Sequence, residues 1–564
     1  MSGDFDAIIV GSGMSGGWVA KELTERGLKV VVLERGRNID PTTDYRDFDN
    51  PWELENGNKI PQEEAERDYA IQSQWGGFNT ATKHLWVKDS EHPYTTPKDK
   101  PFLWIRGYHV GGRSLMWARQ SYRLSDIDFE ANKKDGHGVD WPIRYADLAP
   151  WYDHVETFAG ISGTKEGLPQ LPDGQFLKPM GLNCVEQDFA NRVAQAFDGR
   201  KVIPGRNANL SEVTKIQESL GRGACQFRNY CARGCSFGAY FSSVSATLPA
   251  AKQTGLMTLV PNAVVMKVIT DPKTGRAAGV QVVDSVTKKP TTYTARMVFL
   301  NASAITSAQI LLNSANEAAP RGLANSSDQL GRNLMDHLFG ISTAAEVSGF
   351  EDRTTFGRRP NGLYIPRFRN LDDEGLDFVR GYGYQGSISR KDWERGSNRP
   401  GIGGEWKDSL AGPGGWQLGI SGFGEMLPYA HNRVTLNPAK KDAWGMPIPH
   451  IECEHGENER KMAEKISADA REMCEKLGYK VVHSNAEAAE PGKGIHEMGT
   501  VRMGRDPKTS VLNAWNQSHD IPNLFCTDGG AMTSSACQNP SLTYMALSAR
   551  ASAHAVELLQ EGKI

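Results

Sequence analysis

The sequence predicts an α/β protein of two domains, a Rossmann-like dinucleotide-binding domain and a second α+β domain built on an antiparallel sheet. Three observations predict it. The apolar run FDAIIV at 5–10 leads straight into Gly11, Gly13 and Gly16 and then a helical pattern. A second apolar run, KVVVLERG, ends with Glu34. From about 340 to 430 the chain turns to short β-like runs rich in Gly and aromatic residues. Strand, glycine turn, helix, strand and acid in that order make a dinucleotide fold.

Each part of the first motif has a physical reason. Gly11 permits the tight turn, Gly13 lets backbone approach a pyrophosphate, Gly16 allows close helix packing, and the helix N-terminus faces negative charge. Glu34 stands about 20 residues on, where ribose hydroxyls need a carboxylate. A ligand-free glycine turn is the alternative, and the agreement of strand, helix and acid argues against it. The glycines alone do not separate FAD from NAD.

Further along, residues 38–105 are polar and rich in Pro, Asp and Trp, as a surface wrap or lid would be. RGYHVGGRSLMWARQSYR at 106–123 carries a second glycine pair, and WPIRYADLAPWYDHVETFAG has helical spacing. TLVPNAVVMKVITD, AAGVQVVDS and ARMVFLNAS read as strands, SAITSAQILLNSA as a helix, and NERKMAEKISADAREMCEKLGYKVV as an amphipathic helix. A final helix opens at Asn539-Pro540, with Pro suited to a first helical position and Asn to the cap. The expected division is 1–50, 101–125, 236–340 and 490–564 for the dinucleotide domain. The second domain takes 126–235 and 341–489 and carries a cysteine loop, 221–238, while 51–100 wraps or lids.

With 564 residues the chain exceeds one hydrophobic core. Its 64 basic and 67 acidic residues give a net charge of −3, so no general attraction to nucleic acid or an anionic membrane is expected. No apolar stretch approaches the ~20 residues of a membrane span. The first apolar run lacks a basic flank and is already a strand, so no signal peptide is expected. The cytoplasm is then the default, and export beside a signal-bearing partner stays open. Eight cysteines in such a chain favour thiols and metal ligands over disulfides.

Three of the eight, Cys225, Cys231 and Cys235, crowd into CQFRNYCARGC. Three thiolates on one loop can hold an iron–sulfur cluster. A disulfide would leave one cysteine over, structural zinc normally takes four protein ligands, and inert buried cysteines remain the bland option. Cys184, Cys453, Cys474, Cys526 and Cys537 read as structural. His496 stands before a glycine turn, and by itself is as readily a structural histidine.

The whole chain resembles the glucose–methanol–choline oxidoreductases. GSGMSGG with Glu34, VGGRSLMW at 110–117, GRNLMDH at 331–337, IHEMGTVRMG at 495–504 and CTDGGAMTSSACQNPSLT near the end carry the resemblance. It looks most like the bacterial branch of pyranose oxidases, gluconate and glucose dehydrogenase large subunits and glucoside 3-dehydrogenases. The resemblance implies FAD, with His496 as catalytic histidine and Asn539 as its partner. It implies cofactor contacts at Gly11, Gly13, Ser15, Gly16, Glu34 and Arg35, at Gly111, Gly112, Ser114 and Met116, and at Val264, Asp528, Gly529, Asn539 and Pro540. Met116 aligns where pyranose oxidases carry the histidine bonded to flavin, so non-covalent FAD is expected. Cys-x5-Cys-x3-Cys is similar to the bacterial FAD glucose dehydrogenases, whose cysteines bind a three-iron (3Fe-4S) cluster.

The implied reaction is oxidation of a secondary hydroxyl of a glycoside, at C3, with electrons leaving through the cluster. The implied partners are a sugar substrate, a small chaperone-like subunit and a cytochrome c or similar acceptor, with the periplasm as destination if the chain is co-exported. A neutral imidazole, pKa near ~6.5, suits the hydroxyl proton, and Asn539 could orient the carbinol. Sugar platforms are sought among Tyr382, Tyr384, Gln385, Trp406, Trp416 and Phe423. The rivals are an oxidase using O2 and, from another class, a redox-silent flavin lyase or assembly subunit.

Overall fold

The computed structural model describes every residue except 1–4, 51, 373, 392–394 and 397–399. Two large sheets carry the fold. In the first, β1 (Phe5–Val10) runs into helix α1 (Met14–Glu25) and then β2 (Val30–Leu33), parallel to β1 with Ala7 opposite Val30. With β3 (Met257–Val260), β4 (Pro290–Leu300) and β5 (Leu524–Cys526), the parallel order is β3-β2-β1-β4-β5. Parallel strands covered on both faces need continuous apolar runs, which β1, β2 and the end of β4 supply. An antiparallel hairpin, Ala263–Thr270 and Ala277–Asp284, pairs with the first half of β4.

The glycine turn is forced by packing. A Cβ on Gly16 would lie 1.9 Å from the Gly11 carbonyl oxygen. At Gly11, whose φ is +97°, it would lie 2.4 Å from the Asn301 carbonyl oxygen.

The second sheet is antiparallel, in the order Lys480–Ser484, Ser342–Val347, Trp416–Glu425, Tyr382–Arg390, Leu363–Ile365, Ile203–Pro204. The helix Glu457–Lys476 covers one face with Met462, Ile466, Ala470 and Met473. Strand alternation then sorts the side chains. Tyr382 and Tyr384 point at this helix, their hydroxyls donating to Asp469 Oδ2 at 2.6 Å and the Ile466 carbonyl at 2.7 Å. Gln385 faces the other way, as does Phe423, whose register partner is Gly383.

The structure corrects the expected domain division in two places. The helix Tyr145–Ala159, expected in the second domain, lies on the first, because Leu148, Tyr152 and Val155 share a core with Ile8, Trp18 and Val31. His337–Leu338, expected in the first, pairs with Trp416–Glu425 of the second sheet. Among the described residues no helix is long and apolar enough to cross a membrane.

Candidate active site

One elongated cavity runs from the glycine turn of the first sheet to the open face of the second. At its first end Gly11, Gly13 and Ser15 line the wall. Gly13 offers α1 no side-chain cap, so the helix's first N–H groups are left for an anion. Glu34 also lines the wall. Its Oε2 accepts from Ser12 N–H at 3.1 Å and Ser12 Oγ–H at 2.7 Å, and its Oε1 accepts from Gly36 N–H at 3.0 Å. Burial raises the pKa of this carboxyl. Ser12 Oγ in turn accepts from Gly111 N–H at 2.9 Å, which ties the two glycine loops together.

Arg35 and Val264 continue the wall, with the Arg35 guanidinium 4.1 Å from the Tyr108 ring centre. Gly112, Ser114 and Met116 also line the cavity, as do Asp528 and Gly529. Three expected contacts lie behind the lining. Gly16 and Gly111 shape the loops from outside the cavity, and in place of Pro540 the next helix presents Ser541 and Tyr544. The extended cavity, the uncapped helix start and the buried carboxylate fit FAD.

His496 and Asn539 both line the cavity, as do Gln385, Phe339 and Phe423; the Phe423 ring centre is 6.4 Å from that of His496, and Gln385 is hydrogen-bonded to Asn539. The backbone is strained there. Ile495, immediately before His496, has φ +62°, a left-handed conformation that a β-branched residue rarely adopts. Asp336 holds this loop, accepting from the N–H groups of Gly492 at 2.8 Å, Gly494 at 2.9 Å and His496 at 2.9 Å. Burial, and then the charge of Glu497, push the Asp336 carboxyl up to about 6. Glu497 itself forms a two-pronged ion pair with Arg113, whose Nη1 stands 3.0 Å from Oε1. Burial works against the Arg113 charge, but Glu497 more than offsets it and its pKa is raised.

His496 Nδ1 lies 2.8 Å from Nδ1 of His337, and His337 Nε2 lies 2.9 Å from the Ala536 carbonyl oxygen. Burial lowers His337 to about 4. Burial also holds His496 well below its ordinary value, with His337 and Arg113 adding to the effect. Both imidazoles are neutral at neutral pH.

Asn539 is not a helix cap. The last helix begins at Ser541 with Pro540 at the cap position, and Asn539 Oδ1 accepts from Gln385 Nε2. That leaves the Asn539 Nδ2 donor for the cavity. Of the six expected sugar platforms, Gln385 and Phe423 reach the site. Tyr382, Tyr384 and Trp416 are core residues, and Trp406 sits on the helix Gly403–Ala411 away from the lining. Three residues were not picked out from sequence: His337, which lay unassigned inside GRNLMDH; Arg113, inside VGGRSLMW; and buried Arg119, which lines the cavity at φ +63°.

The cysteine loop lies within electrostatic reach of the cavity wall, because the charge of cavity-lining Arg119 acts on the Cys225 thiol. Cys225, Cys231 and Cys235 are half-buried and unpaired. Phe227 N–H donates to Cys225 Sγ at 3.4 Å, and burial pushes the Cys225 thiol up. Buried Asp47 pins the loop through Arg228 Nη2 at 2.6 Å, Ser236 N–H at 3.0 Å and Ser236 Oγ–H at 2.7 Å. Among the described residues the one trio with metal-capable atoms mutually within 4.8 Å is Asp336, His337 and His496. The cysteine sulfurs are therefore spread wider than the ~3.8 Å that ~2.3 Å bonds to one tetrahedral ion impose. Cys184 is exposed, and Cys453, Cys474, Cys526 and Cys537 are buried.

Two family models described as GMC oxidoreductase match residues 5–339 and 428–548. The 2-methyl-1,2-propanediol dehydrogenase of Mycolicibacterium austroafricanum is 30% identical, over 97% of this chain and 94% of its own. The fructose dehydrogenase large subunit of Gluconobacter japonicus is 27% identical, over 99% and 98%. Among solved structures, pyridoxine 4-oxidase from Mesorbium loti matches with a TM-score of 0.59 at 16% identity, covering 97% of this chain and 98% of that one, which is a likeness of fold.

Asp336→Asn keeps the size of the side chain but removes its charge and half its acceptors. A buried N–H left without its acceptor costs roughly 1–3 kcal/mol. The variant is expected to unfold at lower temperature at pH 7.5 and to turn over more slowly with its flavin still bound. Calorimetry and steady-state rates check this, and wild-type values in both would contradict the role given to Asp336.

Proposed function

The chain belongs to the GMC oxidoreductases, FAD enzymes acting on CH–OH groups, and from that premise we propose that it is a sugar dehydrogenase oxidising a secondary hydroxyl of a glycoside, at C3. The observation that carries the reading is the pairing of a neutral imidazole with an amide donor in the lining of the dinucleotide cavity. FAD, when bound along Gly13, Glu34, Gly112 and Asp528, supplies the hydride acceptor. Loss of hydride from a carbinol would leave a protonated carbonyl, so the hydroxyl proton must pass to a base, and His496 takes it. Asn539, its oxygen held by Gln385, turns Nδ2 toward the same oxygen and supports the negative charge that gathers there. Phe339 and Phe423 wall the cavity and keep water away. Gln385 and Phe423, projecting from one strand face, suit a polyhydroxy ring with an apolar side.

Cys225, Cys231 and Cys235 would hold an iron–sulfur cluster, and the chemistry it would supply is one-electron transfer to an external acceptor. A loop of three unpaired, spread thiols, one accepting a backbone N–H, supports this part of the proposal. Exposed Phe48, Phe227 and Tyr230 around the loop support docking of an electron-accepting protein there. A signal-bearing small subunit carrying the chain to the periplasm belongs to the same proposal. The named fructose dehydrogenase relative is a large subunit, which supports it. Oxidases share the fold, and the acceptor separates the two readings.

Anaerobic mixing with methyl glucosides, glucose, fructose and gluconate, watching the flavin band, tests the proposal. Expected are bleaching by a methyl glucoside, turnover with a dye but little peroxide in air, and about three irons per chain. Iron-free protein that reoxidises rapidly in air would replace it with the oxidase reading. The pH dependence follows from His496. Its protonated form cannot take the hydroxyl proton, so activity is present above its pKa and lost as pH falls through it. Because that pKa is depressed, the acid limb of kcat/KM is expected below pH 6.5, and a limb at or above 6.5 would contradict the neutral, desolvated base.

A further inference from the structure

Hydrogen-bond direction locates a proton in the pair His337–His496. The Ala536 carbonyl, 2.9 Å from His337 Nε2, can only accept, so Nε2 carries the hydrogen. A neutral imidazole with hydrogen on Nε2 has a bare lone pair on Nδ1. That lone pair stands 2.8 Å from His496 Nδ1, with the two rings nearly perpendicular at 86°. His496 must therefore donate from Nδ1, and its Nε2 lone pair is left unprotonated.

We propose that His337 is a positioning residue that locks His496 in the tautomer with Nδ1–H and a free Nε2, so that the base presents its lone pair to the substrate hydroxyl. The inference rests on the reading of His496 as base for its purpose, though not for its geometry. A histidine free to exchange tautomers would offer the substrate hydroxyl an N–H for part of the time, and in that state it accepts no proton. The end of the chain of hydrogen bonds is itself rigid: Ala536 has φ +56°, is fully buried, and stands three residues before Asn539. The lock thus spans the two arms that grip the carbinol. The hydrogen-bond acceptor behind His337 is the Ala536 carbonyl, and an Asp336 carboxylate oxygen lies within 4.8 Å of ring nitrogens of both histidines. The charged groups facing the pair are Arg113, Glu497 and Asp336; Glu497 is bound to Arg113, and Asp336 to three backbone N–H groups. The His337 hydrogen bond thus ends on a carbonyl, which fixes its tautomer without adding a charge of its own.

The test uses the full FAD-loaded chain with ¹⁵N-labelled histidine. Long-range ¹H–¹⁵N spectra at pH 7 read the tautomer of His496 directly, in wild type, His337→Asn and His337→Leu. Asn places an oxygen near the Nδ1 position and can still accept from His496; Leu cannot. Expected are the Nδ1–H tautomer in wild type and His337→Asn, and a mixture in His337→Leu. Turnover of methyl glucoside with a dye is expected to fall about 10²-fold in His337→Leu with little change in KM, and to recover substantially in His337→Asn. A wild-type His496 with hydrogen on Nε2 would overturn the proposal, as would a His337→Leu enzyme with unchanged tautomer and turnover. If His337→Leu does not fold, His337→Ala, which likewise offers no acceptor, takes its place, and a mixture of tautomers is expected there. If methyl glucoside is not oxidised by wild type, the function proposal fails while the spectra continue to judge the lock.

Discussion

Residues 335–338 are a short extended segment that both halves of the molecule share. Met335 pairs with Met498 of the first domain, and His337 pairs with Glu425 of the second sheet. Between them Asp336 gathers three N–H groups of the loop before His496, and after them Leu338 enters the second core. Both side chains turn toward the same loop, their polar atoms and those of His496 lying within 4.8 Å of one another. One short stretch can therefore hold the loop with one side chain and the imidazole of that loop with the next. The position of the base relative to Gln385 and Asn539 follows from where the second sheet places this segment.

The electrostatics of the site favour a neutral base over a charged one. Burial lowers both His337 and His496, and the Arg113 charge beside His496 acts in the same direction. Arg113 is itself matched by Glu497, so the positive charge near the imidazole is compensated locally. Removing water makes each of these interactions stronger and makes an uncompensated ion costly. The result is a site able to receive a proton without holding one beforehand.

Much of the dinucleotide half was legible in the sequence, because its requirements are local: apolar runs for buried parallel strands, glycines where backbone meets backbone, a carboxylate at a set distance. Gly16 shows why the spacing is strict, since any side chain there meets the Gly11 carbonyl. The second domain was legible as a sheet, but not which face of it meets the cavity. Tyr382, Tyr384 and Trp416 look as suitable for a sugar as Phe423, and only the register with the helix Glu457–Lys476 sends them to the core. The helix Tyr145–Ala159 joined the first domain for a similar reason, its apolar stripe fitting α1 as readily as any sheet. His337 stood inside a motif without a role because its partner is 159 residues away along the chain.

The central claim is that His496 takes the substrate's hydroxyl proton as hydride leaves the carbinol carbon. Its most direct test is rapid anaerobic mixing of wild type and His496→Ala with a bleaching sugar, resolving the flavin band as sugar concentration is varied. The account predicts that the limiting rate falls about 10²–10⁴-fold while the half-saturating sugar concentration changes little. A His496→Ala protein that bleaches at the wild-type rate would show that the proton goes elsewhere.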